Sequence, residues 1–142
     1  MLFDFKSFSE LFPLVLSSLG LTAEIAALSL AGTLLLSTAI AIVRYYKVPL
    51  LTQFFDAFVT VFRATPLVVA LFMIFFALPC LIPALKAMTP LQATVISLIC
   101  NTSAFMAESF RAALESVDTG QIEACYSMGM TRAQAMRRAI LP

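Results

Sequence analysis

One stretch of the sequence carries polar and ionisable residues among apolar neighbours, and their spacing is helical. Placed on a helix at about 100° per residue, six of these residues fall within a sector of about 100°. They are Thr94, Ser97, Asn101, Glu108, Arg111 and Glu115. Such groups are costly at membrane depth and usually face a bundle interior or a water-filled path. The stripe predicts an interior face that can hydrogen-bond and pair charges.

The charged members of this stripe can pair along one helix. Glu108 lies three residues before Arg111, and Arg111 lies four residues before Glu115, so both pairs can meet on one face. For Arg111 and Glu115, one interpretation is simple pairing at the end of a membrane span. For Asn101 and Glu108, nearer the middle of the stretch, the alternative is a functional or interface role.

Other kinds of chemistry find little support in the composition. The chain has no histidine, and its three cysteines are isolated, so neither a metal site nor a histidine-based relay is predicted. Paired catalytic carboxylates and a nucleophile constellation are also missing, which argues against an enzyme. With a net charge of +1, nothing suggests binding of nucleic acid.

The elements that position the stripe are membrane helices. Hydrophobic residues make up 61% of the chain and charged residues 12%, against about 45–50% and about 25% in soluble domains. Residues 25–43, 64–85 and 87–107 contain no charge over 19, 22 and 21 positions, and about 20 apolar residues span a bilayer. We predict a single all-α membrane domain with three spans, at residues 21–43, 64–85 and 90–112. Residues 1–20 would form an external or interfacial lead-in.

Small residues and prolines add detail to the first two spans. Two ridges of small residues in the first span predict close contact with other helices. They are Ala23, Ala27 and Ala31, and Ser29, Thr33, Ser37 and Ala41. In the second span, Pro79 and Pro83 are expected to end the helix.

Basic residues give the orientation. Arg44 and Lys47 separate the first two predicted spans, and four arginines follow or end the third: Arg111, Arg132, Arg137 and Arg138. The positive-inside rule then puts the N-terminus outside and the C-terminal loop in the cytoplasm.

That loop, residues 117–142, has the cap chemistry of two short helices. Asp118 or Thr119 can cap the first helix, and Gly129 suits the left-handed residue that ends it. Thr131 and Gln134 have the spacing of a capping box for the second helix. A cytoplasmic helix–turn–helix is predicted.

Residues 123–142 resemble the EAA loop of ABC importer permeases. The family pattern is Glu-Ala-Ala, three residues, Gly, nine residues, Ile, any residue, Leu-Pro; here Cys125 replaces the second alanine and Ala139 the isoleucine. Residues 62–67, Phe-Arg-Ala-Thr-Pro-Leu, resemble the Phe-Arg-Gly-Thr-Pro-Leu of polar amino-acid importers. Further matches to that group are Asn101, Ser103, Ala104, Phe105, Glu108 and Arg111, and then Val117, Gly120 and Gln121. The similarity runs from about residue 20 to residue 142 and favours a permease subunit of a polar amino-acid ABC importer.

The resemblance implies roles for individual residues. Coupling to an ATPase would fall to Glu123, Ala124, Gly129 and Arg132. The wall of a translocation path would include Thr94, Ser97, Asn101 and Glu108. Structural positions would be Arg63, Pro66, Arg111 and Gly120. No GxxxxGK[ST] motif is present, so ATP would bind a separate subunit and this chain would hold no cofactor.

The resemblance also implies binding partners and a location in the cell. These are an ABC ATPase, a second permease subunit in a homo- or heterodimer, an extracytoplasmic substrate-binding protein and the bilayer of a bacterial plasma (inner) membrane. Family members carry further spans after the loop, so the sequence corresponds to a partial, C-terminally truncated transmembrane domain. The alternatives are a small three-span scaffold or regulator, and a permease fragment that does not transport.

Overall fold

The structure, a computed structural model, describes residues 5–140 and the side chains of residues 11–139. Over that part of the chain it is helical, with no strand, which confirms the predicted all-α class. Its helices are α1 (Phe5–Tyr45), α2 (Leu51–Ala64), α3 (Leu67–Phe72), α4 (Leu78–Leu81), α5 (Pro90–Glu115), α6 (Thr119–Ser127) and α7 (Arg132–Ala135). π-helical turns at Met73–Ala77 and Met136–Ile140 follow α3 and α7, and a 3₁₀ turn at Pro83–Ala87 follows α4.

Two long helices form the frame of the molecule. By length and apolar composition, α1 and α5 can each cross a membrane. A third crossing results if α2 and the segment from α3 to α4, which meet at a bend, are counted together as one span. Thr89 starts α5 with a capping box to Gln92, and Pro90 occupies the first turn, where its missing N–H costs nothing.

Small residues let α1 and α5 lie in contact. The ridge of Ser29, Thr33, Ser37 and Ala41 is buried, as the spacing predicted for a helix with close neighbours. The other ridge, Ala23, Ala27 and Ala31, is exposed within this chain. Gly32 of α1 lies against Ile99 of α5, and further along Ile40 packs with Ala104 and Ala107, so the two helices run parallel.

α1 is longer than one bilayer crossing. Its 41 residues extend about 60 Å at about 1.5 Å per residue, twice the roughly 30 Å hydrocarbon core. Gly32 lies against Ile99, so the start of α5 at Pro90 falls level with about residue 23 of α1. The lead-in predicted over residues 1–20 is continuous with α1 from Phe5 onward, and residues 1–4 lie outside the described part.

The second predicted span contains a sharp corner. α2 ends at Ala64, Thr65 is extended, and α3 begins at Leu67 after a bend of 115°. Pro66 lacks the N–H that would continue the helix, and a proline biases the residue before it, here Thr65, toward extended backbone. The helix then continues through Pro79 and ends at Leu81, while Pro83 opens the 3₁₀ turn.

We expect Gly32→Ala to destabilise the fold. A Cβ at position 32 would clash with Ile99 Cδ1 and lie 2.8 Å from Ile99 Cγ1. Overpacking costs about 1–3 kcal/mol, which exceeds the roughly 1 kcal/mol by which alanine favours a helix. The measurement is the free energy of unfolding in detergent micelles.

The matched control for this change is Gly20→Ala, since no other part of the described structure lies within 4 Å of a Cβ built at Gly20, its own helical backbone aside. That variant should be neutral or slightly stabilising. Adding Ile99→Val to Gly32→Ala removes Cδ1, the nearest clashing atom, at a cost of only about 0.5–1.5 kcal/mol, and should recover part of the lost stability. If Gly32→Ala is as stable as Gly20→Ala, the close approach of α1 and α5 is wrong.

Candidate functional site at the hairpin end of the bundle

Residues 119–140 fold back on themselves as a short helical hairpin, which begins with a side-chain cap. Asp118 Oδ1 accepts a hydrogen bond from the Gly120 N–H at 2.6 Å. The sequence left Asp118 and Thr119 as alternative caps, and the structure selects Asp118. A Cβ at Gly120 would lie 2.9 Å from the same oxygen, so glycine lets the carboxylate approach this closely.

Gly129 ends α6 as predicted. Its φ is +76°, in the left-handed region. The Met130 N–H donates to the Cys125 carbonyl at 3.1 Å and the Gly129 N–H donates to the Tyr126 carbonyl at 2.9 Å. These two bonds are the Schellman arrangement, which satisfies the last carbonyls of a helix. The chain therefore turns sharply at position 129.

A capping box starts the second arm of the hairpin, again as predicted. The Gln134 N–H donates to Thr131 Oγ1 at 3.3 Å, and the Thr131 N–H donates to Gln134 Oε1 at 2.9 Å. Each side chain satisfies the other's backbone donor at the helix start. Short-range hydrogen bonds therefore fix both helix starts and the turn of the hairpin.

The hairpin is seated on the ends of both long helices. Met136 is buried against Ala41 of α1 and Leu114 of α5, and Tyr46 packs on the same cluster. The Tyr46 hydroxyl donates a hydrogen bond to the Arg132 carbonyl at 3.4 Å. Burial raises the pKa of the Tyr46 phenol, and the neighbouring Tyr126 adds to the rise. Tyr46 therefore stays a neutral donor at physiological pH.

The opposite side of the hairpin is open. The residues predicted for ATPase coupling, Glu123, Ala124, Gly129 and Arg132, are all exposed. Cys125, between two of them, is buried at 6% exposure. The family motif's final two positions, Leu141 and Pro142, lie outside the described residues. The coupling role of the four exposed residues stays a prediction.

Beside the hairpin, Glu108 is the centre of an interhelical charge cluster. Its Oε1 accepts a hydrogen bond from Arg44 Nη1 of α1 at 2.8 Å, and its Oε2 accepts one from Arg111 Nη2 at 3.1 Å. Arg63 Nη1 of α2 is 3.7 Å from Oε1, with its guanidinium 5.7 Å from the centroid of the Phe105 ring. One carboxylate therefore connects α1, α2 and α5.

Two further carboxylates complete this charge cluster. Asp56 Oδ1 of α2 accepts from Arg44 Nε at 2.7 Å, and Glu115 accepts from Arg111 Nη1 at 2.7 Å. The three arginines are balanced by three carboxylates, so the cluster is neutral overall. Arg44 is its most buried member, with a side chain 12% exposed. Neutrality and mutual hydrogen bonding are what allow charges to persist near membrane depth.

Sequence reasoning assigned only part of this cluster. The spacing predicted that Glu108, Arg111 and Glu115 can pair along α5, and the structure shows these contacts. Arg44 entered only as an orientation signal, and Asp56 was not singled out. Their pairing crosses 12 and 64 positions of sequence, where no local period applies. A signal was available for Arg44 alone: it follows the charge-free residues 25–43 just as Glu108 follows the charge-free residues 87–107.

Asn101 makes a further polar contact between helices. Its Nδ2 donates to the Phe62 carbonyl at 3.1 Å and to the Thr65 carbonyl at 3.3 Å, both at the end of α2. The remaining polar side chains of the stripe bond within α5. Ser97 is buried and donates to the Ala93 carbonyl, and the half-buried Thr94 donates to the Pro90 carbonyl.

The chain matches the family described as binding-protein-dependent transport system inner membrane component over residues 33–142. It is 44% identical over 140 residues to the probable amino-acid ABC transporter permease protein PatM of Vibrio harveyi, covering 99% of this chain and 63% of that protein. It is 40% identical over 139 residues to the probable amino-acid permease protein YxeN of Bacillus subtilis, covering 98% and 62%. The glutamine transport system permease protein GlnP of Escherichia coli is 32% identical over 142 residues, covering 100% and 64%.

A solved structure gives the same result at the level of the fold. The crystal structure of an amino acid ABC transporter with histidines superposes with a TM-score of 0.81 at 34% identity, covering 100% of this chain and 65% of that one. The chain therefore spans about three fifths of the length of the proteins it resembles.

Proposed function

This chain belongs to the family of binding-protein-dependent transport system inner membrane components, and on that ground we propose that it is a permease subunit of an ATP-driven importer of polar amino acids. The names of its relatives support the substrate class, since they include amino-acid, glutamine and L-cystine permeases. In this proposal the chain itself catalyses no reaction, and ATP is bound and hydrolysed by a separate subunit.

The hairpin of residues 119–140 is the proposed docking element for that ATPase. The single observation that carries the proposal is its seating. One side packs through Met136 on α1 and α5, while Glu123, Ala124 and Arg132 on the other side are exposed. A rigid helical element with an open face suits insertion into a partner's groove. Motion of the partner would then pass directly to both long helices.

Charge favours the cytoplasmic side for this end of the bundle. Arg44, Arg63 and Arg111 gather there beside the hairpin, which adds Arg132, Arg137 and Arg138. The positive-inside rule assigns such an excess of basic residues to the cytoplasm. The N-terminus would then lie outside, where an extracytoplasmic binding protein delivers substrate to this subunit and a second permease subunit.

A path-wall role for Thr94, Ser97, Asn101 and Glu108 stays a prediction. Within this chain Ser97 is buried, and Asn101 and Glu108 bond to neighbouring helices. In a path formed with a second subunit, Asn101 and Glu108 would therefore act mainly by holding α1 and α2 in position.

Cross-linking of the assembled transporter tests the docking proposal. Glu123→Cys and Met128→Cys each put a thiol on the exposed side of the hairpin, in a chain with Cys80, Cys100 and Cys125 changed to serine. We expect both thiols to cross-link to the ATPase subunit, with yields that change when ATP is added. The readout is the band of the cross-linked pair in membranes that transport amino acid.

The native Cys125 supplies the matched control. It lies in the same helix but is buried, so a chain with Cys125 as its sole cysteine should not cross-link. If neither Glu123→Cys nor Met128→Cys cross-links in a transporting complex, the hairpin is not the docking element. Equal cross-linking from Cys125 would mean that the hairpin does not hold this packed arrangement.

A further inference from the structure

The corner between α2 and α3 leaves backbone carbonyls without their usual donors. In a continuous helix the N–H of residue 66 would donate to the Phe62 carbonyl, but residue 66 is proline and has no N–H. Thr65 is extended, with φ −103° and ψ 124°, so the helix cannot continue. An unsatisfied carbonyl is costly in a membrane because no water is available to replace the lost bond.

Asn101 supplies the missing donors from another helix. Its side-chain amide bonds both the Phe62 carbonyl, which Pro66 cannot serve, and the Thr65 carbonyl at the corner itself. Both partners are acceptors, so the nitrogen of the amide must face them, and its orientation follows from the contacts. The Thr65 hydroxyl donates to the Val61 carbonyl at 2.7 Å and completes the end of α2.

Apolar packing does not fill the inside of this corner. An open apolar cleft of about 190 Å³ lies there, lined by residues of α2, α3, α4 and the π turn between α3 and α4, including Phe62, Ala70, Ile74 and Leu81. Side chains that do not meet across a cleft cannot fix the angle between the two arms. Packing of each arm on α5 and the two Asn101 bonds remain to hold the corner.

We propose that Asn101 is a positioning residue that ties the α2–α3 corner to α5 and makes the corner follow α5 during transport. The proposal rests on the proposed function, since α5 also carries Leu114, on which the hairpin sits. Displacement of the hairpin would move α5, and the amide of Asn101 would carry that displacement to both arms. Asn101 then acts through the helix corner and needs no contact with substrate.

The test measures the corner and transport separately. Spin labels on the exposed native Cys80 of α4 and on Gln53→Cys of α2, with Cys100 and Cys125 changed to serine, report the distance across the corner in the assembled complex. Asn101→Leu, which keeps the size of the side chain but removes the donors, should broaden or shift this distance. It should also lower the transport rate by about tenfold or more.

Ser103→Ala is the matched control. Ser103 lies two residues further along the same helix, and its hydroxyl donates within α5, to the Cys100 carbonyl. We expect wild-type transport and a wild-type distance for this variant. If Asn101→Leu does not assemble, Asn101→Ser, which keeps a polar group too short to reach both carbonyls, serves in its place.

Pro66→Ala gives a readout that a general loss of stability would not produce. It restores an N–H at position 66, so the corner can become a continuous helix once the Asn101 bonds are gone. A straight helix would put positions 53 and 80 about 40 Å apart. We expect this distance in the Pro66→Ala, Asn101→Leu double variant, and the wild-type distance in Pro66→Ala alone.

Three results would overturn the proposal. One is an unchanged distance in Asn101→Leu; the second is straightening by Pro66→Ala alone. The third is a raised KM for substrate in both Asn101→Leu and Ser97→Ala at wild-type distances, which would make the stripe a substrate-contacting wall. The distances can be measured whether or not the complex transports amino acid. If the distances change as expected but the complex transports no amino acid, the proposed function is rejected and the role of Asn101 at the corner is not.

Discussion

Glu108→Gln is expected to lower the free energy of unfolding of the membrane-embedded chain by about 3 kcal/mol or more. The change removes the carboxylate shared by Arg44, Arg63 and Arg111, and it leaves the neutral cluster with a net charge of +1. A hydrogen bond to a charged group contributes about 1.5–3 kcal/mol, and the half-buried Glu108 makes such bonds to both Arg44 and Arg111. Unfolding in mixed micelles and ATP-dependent uptake in proteoliposomes measure the loss.

Glu115→Gln is the matched control for this prediction. It is the same substitution further along α5, but within the described part of the chain Glu115 forms an ion pair with Arg111 alone, and its side chain is 51% exposed. Exposed pairs contribute about 0–1 kcal/mol, so this variant should remain near wild type. Arg44→Gln combined with Glu108→Gln should cost less than the sum of the two single changes. Equal effects of Glu108→Gln and Glu115→Gln would contradict a central role for Glu108.

Gly129→Val is expected to uncouple the transporter. Residue 129 has φ +76°, and a left-handed residue with a Cβ costs about 1–2 kcal/mol, with β-branched side chains the worst accommodated. The strain should distort the turn of the hairpin while the membrane helices stay inserted. We expect the transport rate to fall by about tenfold, the equivalent of about 1.4 kcal/mol, while ATP hydrolysis by the assembled complex continues.

Gly129→Asn provides a graded comparison, since asparagine tolerates the left-handed region better than other residues. It should retain most of the transport rate. Gly20→Val is the second control, because a Cβ built at this helical glycine meets no neighbouring element within 4 Å among the residues that the structure describes. Both rates come from uptake of labelled amino acid, normalised to the amount of inserted chain. Wild-type uptake by Gly129→Val would show that coupling does not need this turn.

Much of the site was predictable because its determinants are local. The cap at Asp118, the glycine at position 129 and the Thr131–Gln134 capping box each depend on residues within four positions of one another. The resemblance of three motifs to amino-acid importer permeases is confirmed at the level of the family. The coupling and path roles of individual residues stay predictions.

The contacts that cross between helices were not predictable. Helical spacing put Asn101 and Glu108 on one face, but it could not say that this face meets α1 and α2. Arg44 reaches Glu108 across 64 positions, and Asn101 reaches Phe62 across 39. Such pairings depend on the rotation and depth of each helix, and a helix period contains neither quantity.

The sequence alone determined that this chain is helical, lies in a membrane and contains a capped hairpin, because composition and short-range spacing set those properties. Only the tertiary structure decided that α2 and α3 meet at a bend of 115°, that one carboxylate holds three arginines, and that the hairpin sits on both long helices. The reason is physical: backbone caps and apolar periodicity act within a few residues. The partners of ion pairs, and of the carbonyls left free at a proline break, lie instead on other helices. Helix packing decides which of these partners come within hydrogen-bonding distance.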